Sequence, residues 1–159
     1  MKVHVDLNTF SATKPVITIG VFDGVHTGHD KLLNRLKESA REIGGESVVL
    51  TLWPHPRLVL GKDVENLKLL NTLEEKEFLL ENRKIDHLVI IPFNKETSNM
   101  SACDFTEKIL VEKLKVNKLL VGYDHQFGKG RKGDYNDLKS CSIQYNFDLE
   151  RIEAQTHEG

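Results

Sequence analysis

ITIGVFDGVHTGHDKLL, residues 17–33, passes from an apolar run through a glycine-containing turn into a helical pattern. The apolar run belongs to VITIGV, residues 16–21, and predicts a strand buried on both faces. From His29 to Ile43 the apolar side chains fall on one face of a helix, and Gly44-Gly45 is a typical stop. Those side chains are Leu32, Leu33, Leu36, Ala40 and Ile43. This stretch therefore predicts a strand, a turn and a helix.

Four further strand-like runs follow, with helical patterns between them. The runs are residues 47–53, 86–93, 117–123 and 142–152. Thr72 with Glu75, and Ser101 with Asp104, resemble capping boxes before two of the helical patterns, residues 73–83 and 105–114. This alternation predicts an α/β fold, an open parallel sheet with helices on both faces. We take the sheet to be Rossmann-like with the order 3-2-1-4-5, in which the first and fourth strands are neighbours. The N-terminal run KVHVDL is a candidate edge strand.

Length and composition favour a single soluble domain over residues 1–159. A net charge of -2, with acids and bases interleaved, argues against a nucleic acid partner. No signal-type or membrane-spanning run occurs, so we expect a cytoplasmic protein without a membrane partner. Cys103 and Cys141 form no C-x-x-C pair or metal-ligand spacing, and we expect buried or semi-buried neutral thiols.

Three polar motifs follow predicted strands. FDGVHTGH (22–29) follows the first strand, PHP (54–56) the second and DHQFGKGRKGD (124–134) the fourth. Ligands of open parallel sheets bind outside the carboxyl ends of the strands, where the strand order reverses. We therefore expect all three motifs to line one pocket.

The first motif suits an anion. Gly24 permits a sharp turn, Gly28 permits close approach, and a helix start offers unpaired N–H groups with partial positive charge. His26 and His29 can donate hydrogen bonds to oxygens whose charge grows during a reaction, so a polyphosphate is the expected guest. The P-loop and G-x-G-x-x-G strings are absent, and no third residue completes a zinc site. The alternative is that one histidine caps the helix and the other is solvated.

The three motifs together resemble a known family. The pattern G-x-F-D-G-x-H-x-G-H is matched by Gly20, Phe22, Asp23, Gly24, His26, Gly28 and His29, and resembles the ATP-binding motif of the nucleotidylyltransferase superfamily. TLWPHP (51–56) and VGYDHQFGKGRKGD (121–134) resemble motifs of one branch, the FMN adenylyltransferase module of bacterial FAD synthetase. The resemblance extends from the first strand to the last.

This resemblance implies an enzyme that transfers AMP from ATP to FMN, making FAD and pyrophosphate, with Mg²⁺ accompanying the ATP. It implies His26 and His29 as catalytic residues and Pro54, His55 and Pro56 as flavin-binding residues. The implied ATP-binding residues are Gly20, Phe22, Asp23, Gly24, His26, Gly28, His29, Asp124, Lys129 and Arg131. No residue is assigned to a metal.

The sequence also departs from the family pattern. His125 replaces a usual phenylalanine, which leaves open whether that position packs against a ring. The S-S-T-x-I-R string expected after the last strand is not present, so we expect a domain truncated before the second ATP motif. Such a fragment is expected to be weakly active or inactive, and a riboflavin kinase module is the expected C-terminal partner.

Two alternatives remain open from the residues. One is another transferase of the superfamily, of the cytidylyl, nicotinamide-nucleotide or pantetheine-phosphate type. The other is a noncatalytic domain that binds a nucleotide.

Overall fold

A parallel sheet of six strands organises the part of the chain that the computed structural model describes: residues 1–20, 27–53, 73–92, 94–122 and 135–152, with the backbone alone for 27–29. The strands are β1 (Lys2–His4), β2 (Val16–Ile19), β3 (Ser47–Trp53), β4 (His87–Pro92), β5 (Lys118–Gly122) and β6 (Asp148–Ile152). Their order is β1-β4-β3-β2-β5-β6, and all neighbours are parallel. The five core strands thus have the predicted order, and the candidate edge strand in KVHVDL forms β1, at the edge beside β4.

The helices follow the strands in alternation. They are α1 (Thr27–Ile43), α2 (Leu73–Asn82), α3 (Lys95–Ser98), α4 (Ala102–Phe105), which continues as a π-helical segment (Thr106–Lys113), and α5 (Tyr135–Tyr145). A 3₁₀ turn (Leu7–Thr9) follows β1. None of the helices in the described ranges has the length and apolarity needed to cross a membrane.

Each face of the sheet carries its own apolar layer. On one face Val16, Val49 and Leu120 pack with residues of α1 and α2 such as Leu36 and Leu80. On the other face the alternate strand residues pack with α4, the π-helical segment and α5. Strand residues therefore alternate between two buried layers, which explains why the central strands read as nearly continuous apolar runs.

Helix α1 ends as its sequence predicts. Gly44 adopts a left-handed backbone with φ of 68°, and its N–H donates to Arg41 O at 3.2 Å. The N–H of Gly45 donates to Ala40 O at 2.8 Å. These two bonds are those of a Schellman cap, which satisfies carbonyls that the helix leaves unpaired.

The predicted strand over residues 142–152 was wrong in its first half. Ser142 and Tyr145 belong to α5, which the sequence analysis did not predict, and only Asp148–Ile152 forms a strand. Leu138, Cys141 and Ser142 are buried at helical spacing. Asn146, at φ of 59°, then ends the helix, and Phe147 N donates to Ser142 O.

Of the two predicted capping boxes, one falls within the described residues. The Ser101 hydroxyl accepts a hydrogen bond from Asp104 N at 3.1 Å, so Ser101 is the N-cap of α4. Thr72 lies outside the described residues. A reciprocal box that the sequence analysis missed forms at α3, where Asn94 and Thr97 bond each other's backbone N–H.

An ion network joins α1 to β5 and β6. Arg35 donates from Nε to Glu150 Oε2 at 2.7 Å and from a second nitrogen to Oε1 at 3.0 Å. Lys118 Nζ donates to the same Glu150 Oε1 at 2.8 Å. The hydrogen bonds from Arg35, and then those from Lys118, lower the pKa of Glu150 to about 2, although partial burial opposes them. The carboxylate is thus held in its charged form by two cations.

Replacing this carboxylate should change the acid stability of the fold. Because its folded pKa of about 2 lies below the ordinary 4.5, Glu150 contributes stability above pH 4.5 that is lost as pH falls toward 2. We expect E150Q to lower the free energy of unfolding at pH 7 by about 1–2 kcal/mol and to flatten its acid dependence. Urea unfolding at several pH values measures both. Glu38 also touches Arg35 but its side chain is 62% exposed, so E38Q is the control and should change stability by less than about 0.5 kcal/mol.

The two glycines after α1 should respond differently to alanine. A Cβ on Gly45 would lie 2.2 Å from Lys14 O, a backbone atom that cannot move cheaply, whereas a Cβ on Gly44 meets nothing within 4 Å. We expect G44A to cost about 1 kcal/mol, for its left-handed backbone alone, and G45A to cost about 2 kcal/mol or more. Thermal and urea unfolding of both variants would test this, and equal losses would contradict it.

Candidate functional site

The carboxyl ends of three neighbouring strands form the candidate site. In the parallel register, Thr18 of β2 lies beside Leu120 of β5. The polypeptide leaves the sheet two residues after each of them, at Gly20 and at Gly122. On the other side, Gly20 N donates to Leu50 O of β3 at 3.0 Å. The segments that carry the three sequence motifs therefore leave from adjacent strand ends.

The winding of the chain reverses between β2 and β5. From β2 to β4 the connecting helices α1 and α2 pack on one face of the sheet. From β4 to β6 the helical segments pack on the other face. The point of reversal therefore lies between the carboxyl ends of β2 and β5, and open α/β sheets bind ligands in a crevice at such a point.

Helix α1 points its N-terminus toward this crevice. Its last residue lies at the amino edge of the sheet, since Ile43 O accepts from Lys14 Nζ at 3.4 Å and Val16 N donates to Glu46 O at 2.9 Å. The helix thus runs antiparallel to the strands, and Thr27 begins it at the carboxyl edge. The first four N–H groups of a helix lack helical partners and carry partial positive charge, so this end favours an anion.

Two hydroxyl groups lie under the same end of the sheet. Thr18 and Thr51 are 0% and 1% exposed, and neither hydroxyl has a hydrogen-bond partner among the described residues. Thr18 is the second-last residue of β2, and Thr51 begins the motif that runs out of β3. A buried hydroxyl gains stability from a partner, so both groups are available to the chain or the ligand that occupies the crevice.

An ion pair neutralises the one acidic residue in the first turn of α1. Arg83 Nε lies 2.6 Å from Asp30 Oδ1. Without a cation beside it, the Asp30 carboxylate would oppose an anion at the helix N-terminus. This pair was not predicted from the sequence, because Asp30 and Arg83 are 53 positions apart and no local pattern joins them.

A buried lysine stands beside the end of β3. Lys76 of α2 is 1% exposed, and its Nζ lies 5.2 Å from the centre of the Trp53 ring, within the range of a cation–π interaction. Neither Lys76 nor Trp53 is among the site residues predicted from the sequence. The available signal was the position of Lys76 on the apolar face of its helix, between Leu73 and Leu80.

Most of the residues that the sequence analysis selected lie outside the described residues. This holds for Phe22, Asp23, Gly24, His26, Pro54, His55, Pro56, Asp124, Lys129 and Arg131, and for His125. Gly20 lies at the end of β2, and Gly28 and His29 belong to the first turn of α1. The structure thus brings together the strand ends and the helix start that carry the selected segments. The contacts of the selected side chains remain predictions.

A second cluster of titratable groups lies at the opposite, amino edge of the sheet. His4 Nε2 and His87 Nδ1 are 2.9 Å apart, and His87 Nε2 pairs with Glu46. Burial, and then the neighbouring His87, lower the pKa of His4, while the hydrogen bond to His87 lowers the pKa of Glu46. A cleft of about 460 Å³ adjoins this cluster. Its walls carry both charge signs, including Lys2, Glu46 and Asp86, so it does not match a polyphosphate.

The carboxyl edge therefore offers what an anionic substrate needs. The N-terminus of α1 supplies N–H groups that point along the helix axis. The strands β2 and β5 end side by side, and Arg83 neutralises the Asp30 carboxylate. In the described ranges, no cluster of three metal-ligating side chains occurs. The chemistry that this arrangement supports is binding and alignment of phosphate groups.

Comparison with known proteins supplies the family. The sequence profile named "FAD synthetase" matches residues 9–159. The chain is 36% identical over 143 residues to a bifunctional riboflavin kinase/FMN adenylyltransferase of Pseudomonas fluorescens, covering 90% of this chain and 45% of that protein. It is 35% identical over 138 residues to the protein of that name from Buchnera aphidicola subsp. Schizaphis graminum, covering 87% and 44%. The chain thus spans less than half the length of these relatives.

Solved structures share the fold. A structure titled as a macrolide-efflux protein from Streptococcus pneumoniae superposes with a TM-score of 0.83 at 21% identity, covering 100% of this chain and 52% of that one. A pantothenate synthetase from Thermus thermophilus gives a TM-score of 0.61 at 12% identity, covering 99% of this chain and 63% of the other. At these identities the likeness concerns the fold alone. The match of the family profile to residues 9–159, nearly the entire chain, shows that this chain belongs to the FAD synthetase family.

Proposed function

We propose that this chain is an FMN adenylyltransferase module, which transfers AMP from ATP to the phosphate of FMN and releases pyrophosphate. The observation that carries the proposal is the start of α1 at the carboxyl end of β2, next to the end of β5. This chain, a member of the FAD synthetase family, has its H-x-G-H string at this point in the sequence, residues 26–29. A helix N-terminus at the crevice of a doubly wound sheet is a general site for phosphate groups.

The proposed chemistry is an in-line displacement at the α-phosphorus of ATP. A phosphate oxygen of FMN attacks, the bond to the pyrophosphate oxygen breaks, and no covalent bond to the protein forms. The protein then has two tasks, which are alignment of the two phosphates and stabilisation of the growing negative charge. The first-turn amides of α1, with His26 and His29, are proposed for the second task.

We assign the remaining binding residues according to the strand that each segment follows in the chain. We assign Gly20, Phe22, Asp23, Gly24 and Gly28, with Asp124, Lys129 and Arg131, to ATP. The segment that leaves β3, with Pro54, His55 and Pro56, is assigned to the flavin. Thr51, two residues before the end of the same strand, has a buried hydroxyl without a partner among the described residues, and we assign it to the same site.

A divalent cation, Mg²⁺, is proposed to accompany ATP. Mg²⁺ binds largely through phosphate oxygens and water, and it offsets the charge of a leaving pyrophosphate. The described part of the site fits such a complex because its donors, the helix amides, bind anions and leave the cation among the phosphates. No residue of this chain is assigned to it.

The names of the relatives suggest a second catalytic module. We propose that this domain, residues 1–159, works beside a riboflavin kinase module that makes its FMN, in the cytoplasm. The proposal predicts that a natural protein with both modules converts riboflavin and ATP to FAD without added FMN.

Loss of a motif histidine should reduce turnover more than binding. In the full natural protein, H29A and H26A should each lower kcat for FAD formation by about 10²-fold or more, with a smaller change in the KM for ATP, since the imidazoles act on charge that grows in the transition state. FAD fluorescence and pyrophosphate release measure both constants. His4 belongs to the edge strand β1, which β4 and β3 separate from β2, so H4Q is the control and should keep its activity.

Substrate panels separate the alternatives. ATP or CTP is offered with FMN, glycerol phosphate, nicotinamide mononucleotide or phosphopantetheine, and pyrophosphate is followed. Release with a partner other than FMN would place the chain with another transferase of the superfamily. Binding of ATP and FMN without pyrophosphate, in the presence of Mg²⁺, would show a noncatalytic domain.

The Asp30–Arg83 pair should tune affinity for the nucleotide. R83Q leaves the Asp30 carboxylate uncompensated in the first turn of α1, so the Kd for ATP should rise about two- to fivefold. The double variant R83Q/D30N should restore the affinity, since it removes the uncompensated charge. Calorimetric titration at low salt tests the pair, and the difference should shrink at high salt. Failure of the double variant to recover would contradict the charge argument.

A further inference from the structure

The two cysteines of the chain lie in contact between α4 and α5. Their Sγ atoms are 2.9 Å apart, although the residues are 38 positions apart in sequence. This separation is about 0.9 Å longer than a disulfide bond of about 2.05 Å. Cys103 is exposed and Cys141 is fully buried, and both are free thiols. The expectation that both would be buried or semi-buried was therefore wrong for Cys103.

A second contact fixes how the two helices are aligned. Four residues after Cys103, the Glu107 carboxylate accepts a hydrogen bond at 3.0 Å from the hydroxyl of Tyr145, which lies four residues after Cys141. Residues four apart share one face of a helix, so the two contacts are consecutive links between parallel helical segments. The thiol pair is held in place by a neighbouring interaction and by the shared apolar layer of Phe105 and Leu138.

The environments of the two thiols indicate which of them reacts first. Cys103 is the thiol that a solute can reach. Burial, and then the hydrogen bond and charge of Cys103, raise the pKa of Cys141 to about 12. Once Cys103 carries a neutral substituent, its contribution to the raised pKa of Cys141 is removed. Cys103 is thus suited to react first and Cys141 second.

We propose that Cys103 and Cys141 are a reversible redox site, oxidised by a low-molecular-weight disulfide to an intramolecular bond between α4 and α5. In the first step the Cys103 thiolate attacks one sulfur of the small disulfide, and one small thiol leaves. In the second step Cys141 loses its proton and attacks Cys103 Sγ, and the second small thiol leaves. The two cysteines lose two electrons and two protons, and the small disulfide takes up both as two thiols.

The bond would restrict a defined part of the chain. The loop that it closes contains β5 and residues 123–134, which enter α5 at Tyr135. Closing such a loop lowers the entropy of the unfolded chain, so the oxidised form should be the more stable one. This inference does not depend on the proposed adenylyl transfer.

The test uses mixtures of reduced and oxidised glutathione. The full chain is equilibrated with them, trapped with an alkylating reagent and analysed by peptide mass mapping. We expect a Cys103–Cys141 cross-linked peptide pair that grows with the oxidised fraction and disappears with dithiothreitol. We also expect a higher urea midpoint for the oxidised form, with no change in oligomeric state.

Single variants keep the test decisive. C141A should stop at a glutathione adduct on Cys103, and C103S should leave Cys141 unmodified until the chain unfolds. Neither variant should show a stability gain on oxidation. Persistent glutathione on Cys103 of the unsubstituted chain, a cross-linked dimer, or two thiols that stay free at every ratio would each overturn the proposal. Because no readout involves FAD, failure here leaves the proposed function unaffected.

Discussion

The position of β2 in the centre of the sheet is the constraint on which the rest of the structure depends. All four of its residues are buried, and it is hydrogen-bonded to β3 on one side and β5 on the other. A strand paired on both sides cannot shift by one residue without moving every side chain to the opposite face. The end of β2, the start of α1 and the start of the segment after β5 are therefore held in one register. The crevice follows from this register, since the connections on its two sides go to opposite faces.

The two halves that meet at the crevice are also joined by charge. Arg35 belongs to the half that follows β2, whereas Lys118 and Glu150 belong to the half that follows β4. The Glu150 carboxylate, in contact with two cations, is stabilised more than a carboxylate in an isolated surface ion pair. The cost of ordering the Glu150 side chain is shared between its contacts with Arg35 and Lys118. The network lies on the α1 face, so it fixes the helix whose N-terminus points to the site. Packing and electrostatics thus act on the same element.

The fold was predictable from the sequence where the signal was local or topological. Apolar periodicity identified α1 from His29 to Ile43, and alternation of strands and helices predicted a parallel sheet with right-handed crossovers. The order of the core strands was a hypothesis that the structure confirms. The prediction failed at Ser142–Tyr145, where Ile143 and Tyr145 favour a strand but Leu138 and Cys141 place the buried face at helical spacing. Pairs such as Asp30 with Arg83, or Cys103 with Cys141, leave no trace in a local window, since tertiary packing alone brings them together. The strand ends of the site could be predicted, because parallel strands end at one edge, but its side-chain contacts could not.

The residues at a site, rather than its fold, carry function. A doubly wound sheet offers the same crevice to every chain that adopts it, so the fold decides where a ligand binds but not which one. Selectivity must come from the segments that leave β2, β3 and β5. In this chain the sequence after β2 contains His26 and His29, and the sequence after β5 contains Lys129, Arg131 and Lys132. Groups that donate hydrogen bonds or carry positive charge therefore occur in the segments on both sides of the reversal, and the proposed ATP site draws on both.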